Sequence, residues 1–132
     1  MKKFKGWILM ILIPLSFFGL TACKCEGNAL TYEQITAQQA KTIMDTKKDY
    51  IIIDARTEEE FNQGYIKGAI LIPEYEIANR AQKELPDKDA LILVYCRSGR
   101  RSKIASEELV KLGYTNVKEF GGIIDWPYEI VK

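Results

Sequence analysis

Histidine is absent from all 132 residues of the chain. That removes the usual general base of neutral-pH catalysis, so Ser-His-Asp and Cys-His mechanisms are excluded, as is any metal site built on imidazole. Cysteine is scarce as well, with only Cys23, Cys25 and Cys96. The first two lie near the N-terminus and only Cys96 lies in the globular part. A structural intradomain disulfide is therefore excluded, and no metal framework is present. An excess of one charge is also missing. Nineteen basic residues meet 18 acidic ones, and three of the lysines (Lys2, Lys3 and Lys5) belong to an N-terminal leader, so the remainder sets 16 against 18. No basic surface is implied, and no nucleic-acid partner is expected.

The one long apolar stretch is Gly6–Cys23, with no charged residue in 18 positions. A basic segment followed by an apolar one is the pattern of an export signal. The stretch ends Leu20-Thr21-Ala22-Cys23, which resembles the lipobox of bacterial lipoprotein signals, where the cysteine receives diacylglycerol and becomes the new N-terminus. The resemblance implies a signal over residues 1–22, lipidation at Cys23 and a polar tether through residue 29. The competing reading is an uncleaved anchor, because 18 uncharged residues reach the lower limit for a spanning helix. Pro14 and Gly19 weaken that helix. Both readings leave the lysines in the cytoplasm and send the rest of the chain across the membrane. The expected location is extracytoplasmic, lipid-anchored to a bacterial membrane through Cys23.

Residues 30–132 are about a hundred positions, a normal size for one domain, and contain no internal repeat. Tyr32–Ile35 reads as an edge strand. Thr36-Ala37-Gln38-Gln39 is a capping box, and Ala40, Ile43 and Met44 supply an apolar face at helical spacing. Tyr50–Ile53 is a continuous β-branched run, as in a strand buried on both faces. Thr57-Glu58-Glu59-Glu60 is a second capping box, opening a short helix that Gly64 stops. Ile70–Ile72 is a short strand closed by Pro73, and Tyr75–Leu85 has helical spacing. Ala90–Tyr95 is another apolar strand and Ser102–Leu112 another helix. Val117–Phe120 reads as a last strand, Gly121-Gly122 as a tight turn and Ile123–Val131 as a terminal helix. Strands alternating with helices predict an α/β fold with a mostly parallel sheet and helices on both faces. Ligands in such sheets bind beyond the carboxyl ends of the strands, where Cys96 and Asp54–Arg56 fall.

Cys96 ends its strand and begins the loop Cys96–Arg101, CRSGRR. Taken alone, it would be a small buried apolar residue. Its neighbours argue otherwise: Arg97, Arg100 and Arg101 gather three positive charges beside it. Ser98 and Gly99 let the backbone curl so that successive N–H groups face an anion. Loop amides, arginines and the N-terminus of the following helix all favour a thiolate. With no histidine available, Cys96 is activated by electrostatics alone, which suits a reaction needing an attacking thiolate and little proton transfer.

Three segments, Tyr95–Ser102 (YCRSGRRS), Asp54–Pro73 (DARTEEEFNQGYIKGAILIP) and Gly113–Trp126 (GYTNVKEFGGIIDW), together resemble a single-domain rhodanese, across essentially all of Leu30–Trp126. The resemblance implies a rhodanese-like fold with a five-stranded sheet. It further implies a double displacement in which Cys96 takes a sulfane sulfur from a small donor, holds it as a persulfide and passes it to a thiol or protein acceptor, without metal or other cofactor. The backbone of Arg97, Ser98, Gly99, Arg100, Arg101 and Ser102 would cradle the outer sulfur. Arg97 and Arg101 would suit an anionic donor. Arg56 would line the same mouth or form a salt bridge to Glu59 or Glu60. The chain departs from the family at Tyr65, where histidine is usual; that position belongs to a structural turn, so fold and Cys96 chemistry are expected to survive.

Two other readings compete. Phosphatases and arsenate reductases of similar fold place five residues between cysteine and arginine to wrap a tetrahedral oxyanion. Here four separate Cys96 from Arg101, and the smaller loop suits a single sulfur atom. A non-enzymatic sulfur carrier, tethered to the membrane and serving one partner, would use the same loop.

Overall fold

The structure is a computed structural model that describes residues 31–132. The leader, the tether, Cys23 and Cys25 lie outside the described residues. Strand β1 (Glu33–Gln34) is followed by helix α1 (Ala37–Thr46), β2 (Ile51–Asp54), α2 (Glu58–Asn62) and β3 (Ala69–Leu71). A 3-10 turn (Glu74–Glu76) leads into α3 (Ile77–Glu84), then β4 (Ile92–Cys96), α4 (Arg100–Lys111) and β5 (Val117–Gly122). The five strands pair in the order β1-β5-β4-β2-β3, and every pairing is parallel. The expected α/β architecture is present, and the sheet is wholly rather than mostly parallel.

The pattern of apolar residues accounts for the layering. All five residues of β4 are buried, as the central strand of a parallel sheet requires. Ile53, Val94, Cys96 and Val117 face one side, packed against Ile77 and Ala81 of α3 and Ala105 and Leu109 of α4. Ile52, Leu93, Tyr95 and Phe120 face the other, against Ala40 of α1 and Trp126. Helices therefore cover both faces, and the period of two along each strand divides the core.

Thr36 and Thr57 each close a capping box as expected. Each hydroxyl accepts from the backbone N–H three residues on, while the Gln39 and Glu60 side chains accept from the threonine N–H groups. Tyr75–Leu85 forms as a 3-10 turn and then a helix. The helix after Cys96 starts at Arg100, two residues before Ser102, so the loop proper is Arg97–Gly99.

Two expectations are overturned. Gly121-Gly122 is no tight turn: β5 runs through both, with Val94 opposite Glu119 and Cys96 opposite Gly122. The slip of one residue is a bulge, and Gly121 occupies it with φ +89°, a conformation that favours glycine. The terminal helix Ile123–Val131 is also absent. A single 3-10 turn, Ile123–Asp125, stops at Trp126, which takes extended φ and ψ of −82° and 109° before Pro127. Proline disfavours helical geometry in the residue before it. The chain then returns along the 64–66 turn, where Val131 and Tyr65 exchange two 2.9 Å backbone bonds.

Candidate active site

Cys96 is the last residue of β4 and only 1% exposed. Parallel strands deliver their last side chains to one rim of the sheet, and α4 begins four residues later with its N-terminus at that rim. Gly99 precedes α4 with φ +105°, and no side chain caps the helix. The backbone curls back far enough for the Gly99 N–H to donate to Cys96 Sγ at 3.0 Å. The uncapped first turn directs N–H groups and the positive end of the helix dipole toward the same loop. One loop amide, that of Gly99, thus bonds the cysteine sulfur itself.

A contact from β5 holds the loop from below. A Cβ built on Gly122 would lie 2.0 Å from the Arg97 carbonyl oxygen and 2.6 Å from Ser98 Cα. Only a glycine allows this approach, and Ile124 N–H adds a 3.3 Å bond to the same carbonyl. Gly122 is therefore part of the loop's construction, a role that its reading as a turn residue missed. A glycine pair late in the last strand was the available signal.

The arginines divide into two kinds. Arg97 and Arg100 are exposed, and among the described residues neither takes part in an ion pair. Arg101 is committed elsewhere. Its guanidinium grips Glu60 in a two-point pair of 2.7 and 2.8 Å, and Glu60 Oε2 also accepts from Thr57 at the start of α2. Hydrogen bonding from Arg101, opposed by desolvation and aided by Thr57, lowers the Glu60 pKa to about 2. Arg101, expected to suit an anionic donor, here forms an ion pair that fastens α4 to α2.

For Arg56 the expected salt bridge to Glu59 or Glu60 is overturned. Arg56 reaches neither Glu59 nor Glu60 but the adjacent strand end: its Nη2 donates to Asp54 Oδ2 and to the Gly64 carbonyl, both at 2.7 Å. The Tyr95 hydroxyl donates to the same Asp54 oxygen at 2.6 Å and accepts from Ile66 N–H at 3.1 Å. Arg56 is 5% exposed and Asp54 fully buried. Desolvation works against the Arg56 charge, but bonds and attraction to Asp54 outweigh it and raise the pKa. Burial, followed by the Asp54 charge, holds the Tyr95 phenol well above its ordinary value. Such a pair must stay intact, because either charge left alone would be a buried unpaired ion. Tyr95 lies on the opposite face of the sheet from Cys96, so this network locks the 64–66 turn and leaves the sulfur untouched.

Ser102 Oγ lies 3.4 Å from Cys96 Sγ and donates to Glu119 Oε1 at 2.6 Å. Glu119 is 3% exposed, and the same oxygen accepts from Gly121 N–H at 2.8 Å. Nothing in the sequence marks this carboxylate: it lies 23 residues from Cys96 and looks like the polar member of an alternating strand. A groove of about 760 Å³, lined by Met44, Tyr50, Ile66, Trp126 and Tyr128, lies on the α1 face and includes no residue of the Cys96 loop.

A buried cysteine at the rim of an all-parallel sheet, under a short loop and a helix N-terminus, defines an α/β domain with a cysteine-centred site. Comparison with known proteins makes the class particular. Residues 36–127 match the rhodanese-like domain, and the chain belongs to that family; it is a rhodanese-type sulfurtransferase. It is 42% identical over 80 residues to the thiosulfate sulfurtransferase PspE of Escherichia coli, covering 61% of this chain and 77% of that one. It is 37% identical over 100 residues to a sulfurtransferase of Allochromatium vinosum, covering 75% and 87%. Among solved structures, a rhodanese with anions from E. coli is 40% identical with a TM-score of 0.59, covering 63% of this chain and 98% of that one.

Two outcomes are expected from this geometry. Gly122→Ala pushes the Arg97–Ser98 backbone off its seat and should lower sulfur transfer about 100-fold, the scale of a 1 Å misplacement, with far-ultraviolet circular dichroism unchanged; full activity would refute the contact. The Glu60–Arg101 pair stabilises the fold fully above the ordinary Glu60 pKa of 4.5, and that contribution is lost as pH falls toward about 2. Thermal midpoints should accordingly fall more steeply over this range for the wild type than for Glu60→Gln, and parallel curves would count against the pair.

Proposed function

We propose that this sulfurtransferase works through a persulfide on Cys96. The observation that carries the reading is the 3.0 Å bond from Gly99 N–H to Cys96 Sγ, beneath the uncapped start of α4. A donor already aimed at the sulfur meets the negative charge that sits on that atom or its attached sulfur at each stage of transfer. With thiosulfate as donor, the Cys96 thiolate attacks the sulfane sulfur, a new S–S bond forms, and sulfite leaves with the electron pair of the broken one. An acceptor thiolate then attacks the outer sulfur and Cys96 leaves as thiolate. No proton need move at the sulfur in either step, which accords with a chain lacking histidine.

The exposed Arg97 and Arg100 supply charge for an anionic donor as it arrives. Their loop is short: three residues join β4 to α4, and a loop of this size supports sulfur rather than a tetrahedral oxyanion as cargo. Polysulfide and protein persulfide are chemically equivalent donors at Cys96, and the similarity to PspE supports thiosulfate first. The membrane tether extends the proposal: a lipid on Cys23 would hold the domain outside the cytoplasmic membrane.

Cys96→Ser should abolish transfer from thiosulfate to cyanide, and mass spectrometry of thiosulfate-treated wild type should find one added sulfur on the Cys96 peptide. Retained turnover in the variant would sink the assignment. A wild type that loads one sulfur and stalls without a partner would be a carrier instead. Radioactive palmitate should label the wild type and leave Cys23→Ala unlabelled; equal labelling would defeat the anchor.

A further inference from the structure

The exposed side of α4 carries more positive charge than a small anionic donor at the mouth requires. Arg97, Arg100 and Lys103 recur at intervals of three, all are exposed, and among the described residues none takes part in an ion pair. Other helix-surface cations are held by acids one turn away, Lys41 by Asp45 and Arg80 by Glu76 and Glu84. Residues three apart share a helix face, so Lys103 carries the charge of Arg100 outward from the rim, roughly 5 Å farther along the axis. Two arginines already match a dianion in charge, and Lys103 stands beyond them. Ile124 stands beside Arg97, 60% exposed, with its N–H bonded to the Arg97 carbonyl at 3.3 Å. Arginine next to apolar surface is common in protein interfaces, and neither Lys103 nor the Ile124 side chain serves the transfer steps described above. Exposed acids bound this positive strip: Glu58 and Glu59 on α2, Asp125 after Ile124, and Glu107 farther along α4.

We propose that the acceptor is a protein thiol set in an acidic segment, which lies along Arg97, Arg100 and Lys103 with an apolar side chain against Ile124. The proposal rests on the Cys96 persulfide. Complementary charge draws the segment in and fixes its register, so that the thiol arrives over the loop. The acceptor thiol loses its proton to solvent, and its thiolate attacks the outer sulfur. A new S–S bond forms, the bond to Cys96 breaks, and Cys96 leaves as thiolate with that electron pair. Donor and acceptor use the mouth in turn, as a double displacement allows. The donor meets the two arginines, whereas only a chain is long enough to engage Lys103 and Ile124 as well. The strip thus selects the second substrate rather than the first.

Three acceptor peptides of equal length test this, each with one cysteine and one leucine, flanked by glutamates, by serines or by lysines. Full-length protein is loaded with thiosulfate, freed of excess donor and discharged against each peptide or against cyanide. Mass spectrometry follows the added sulfur on Cys96. Acidic flanks raise a thiol pKa and lysines lower it, so thiol reactivity alone favours the lysine peptide, and a preference for the glutamate peptide comes from docking. The glutamate peptide should discharge Cys96 about tenfold faster than the serine peptide, and about 1 M salt, which screens beyond about 3 Å, should erase the difference. Lys103→Glu should remove the preference while discharge to cyanide stays unchanged, and Lys103→Gln should weaken it. Equal rates for the three peptides, a faster lysine peptide, or a preference that survives Lys103→Glu would overturn the proposal. Finding no added sulfur on Cys96 would refute the persulfide itself, and the docking with it.

Discussion

The approach of β5 to the cysteine loop is the constraint on which the site depends. Gly122 meets the Arg97 backbone so closely that no side chain fits between them. The bulge at Gly121 makes this possible by slipping β5 one residue relative to β4, which sets Gly122 opposite Cys96. With the loop seated there, the Gly99 N–H reaches the sulfur and α4 starts at the rim with its first turn uncapped. The bulge is thus what aims the backbone donors, a common use of an irregularity beside an active site.

Charge at the site differs from a count of arginines along the chain. Three positive residues follow Cys96 within five positions, yet in space one of them is neutralised by Glu60 and a buried carboxylate, Glu119, enters from the neighbouring strand. What remains near the mouth is Arg97 and Arg100, both facing solvent. This division separates what adjacency in sequence blurs: among the described residues two arginines take part in no ion pair, one joins α4 to α2, and Arg56 pairs with Asp54 beneath the 64–66 turn. The hydrogen bond that the sulfur accepts comes from the Gly99 backbone, whose position cannot shift with side-chain rotation.

Most of the architecture is legible in the sequence because it rests on local chemistry. Both capping boxes form at Thr36 and Thr57 as their spacing requires, and the β-branched runs of β2 and β4 become buried parallel strands. The misreadings share a cause. Ile123–Val131 has apolar residues at helical spacing, but Pro127 holds Trp126 extended and the segment finds partners across the fold at Tyr65. The glycine pair suggests a turn because glycine signals conformational freedom, not the use made of it. Arg56 pairs with Asp54 two residues away rather than with Glu59 or Glu60, and the Glu60 that pairs with Arg101 comes from a helix 41 positions distant, brought to it where α2 and α4 converge.

The sequence by itself determined the alternation of strands and helices, the place of Cys96 at a strand's end, and the exclusion of histidine-based chemistry, because these follow from composition and from periods of two and 3.6 residues. Only the tertiary structure decided that Gly122 seats the loop, that Arg101 belongs to Glu60, and that Glu119 reaches the sulfur through Ser102. Those relations join residues 17 to 41 positions apart. They exist because parallel pairing gathers the ends of separate strands at one rim, where single hydrogen bonds and single missing side chains set the chemistry of the cysteine.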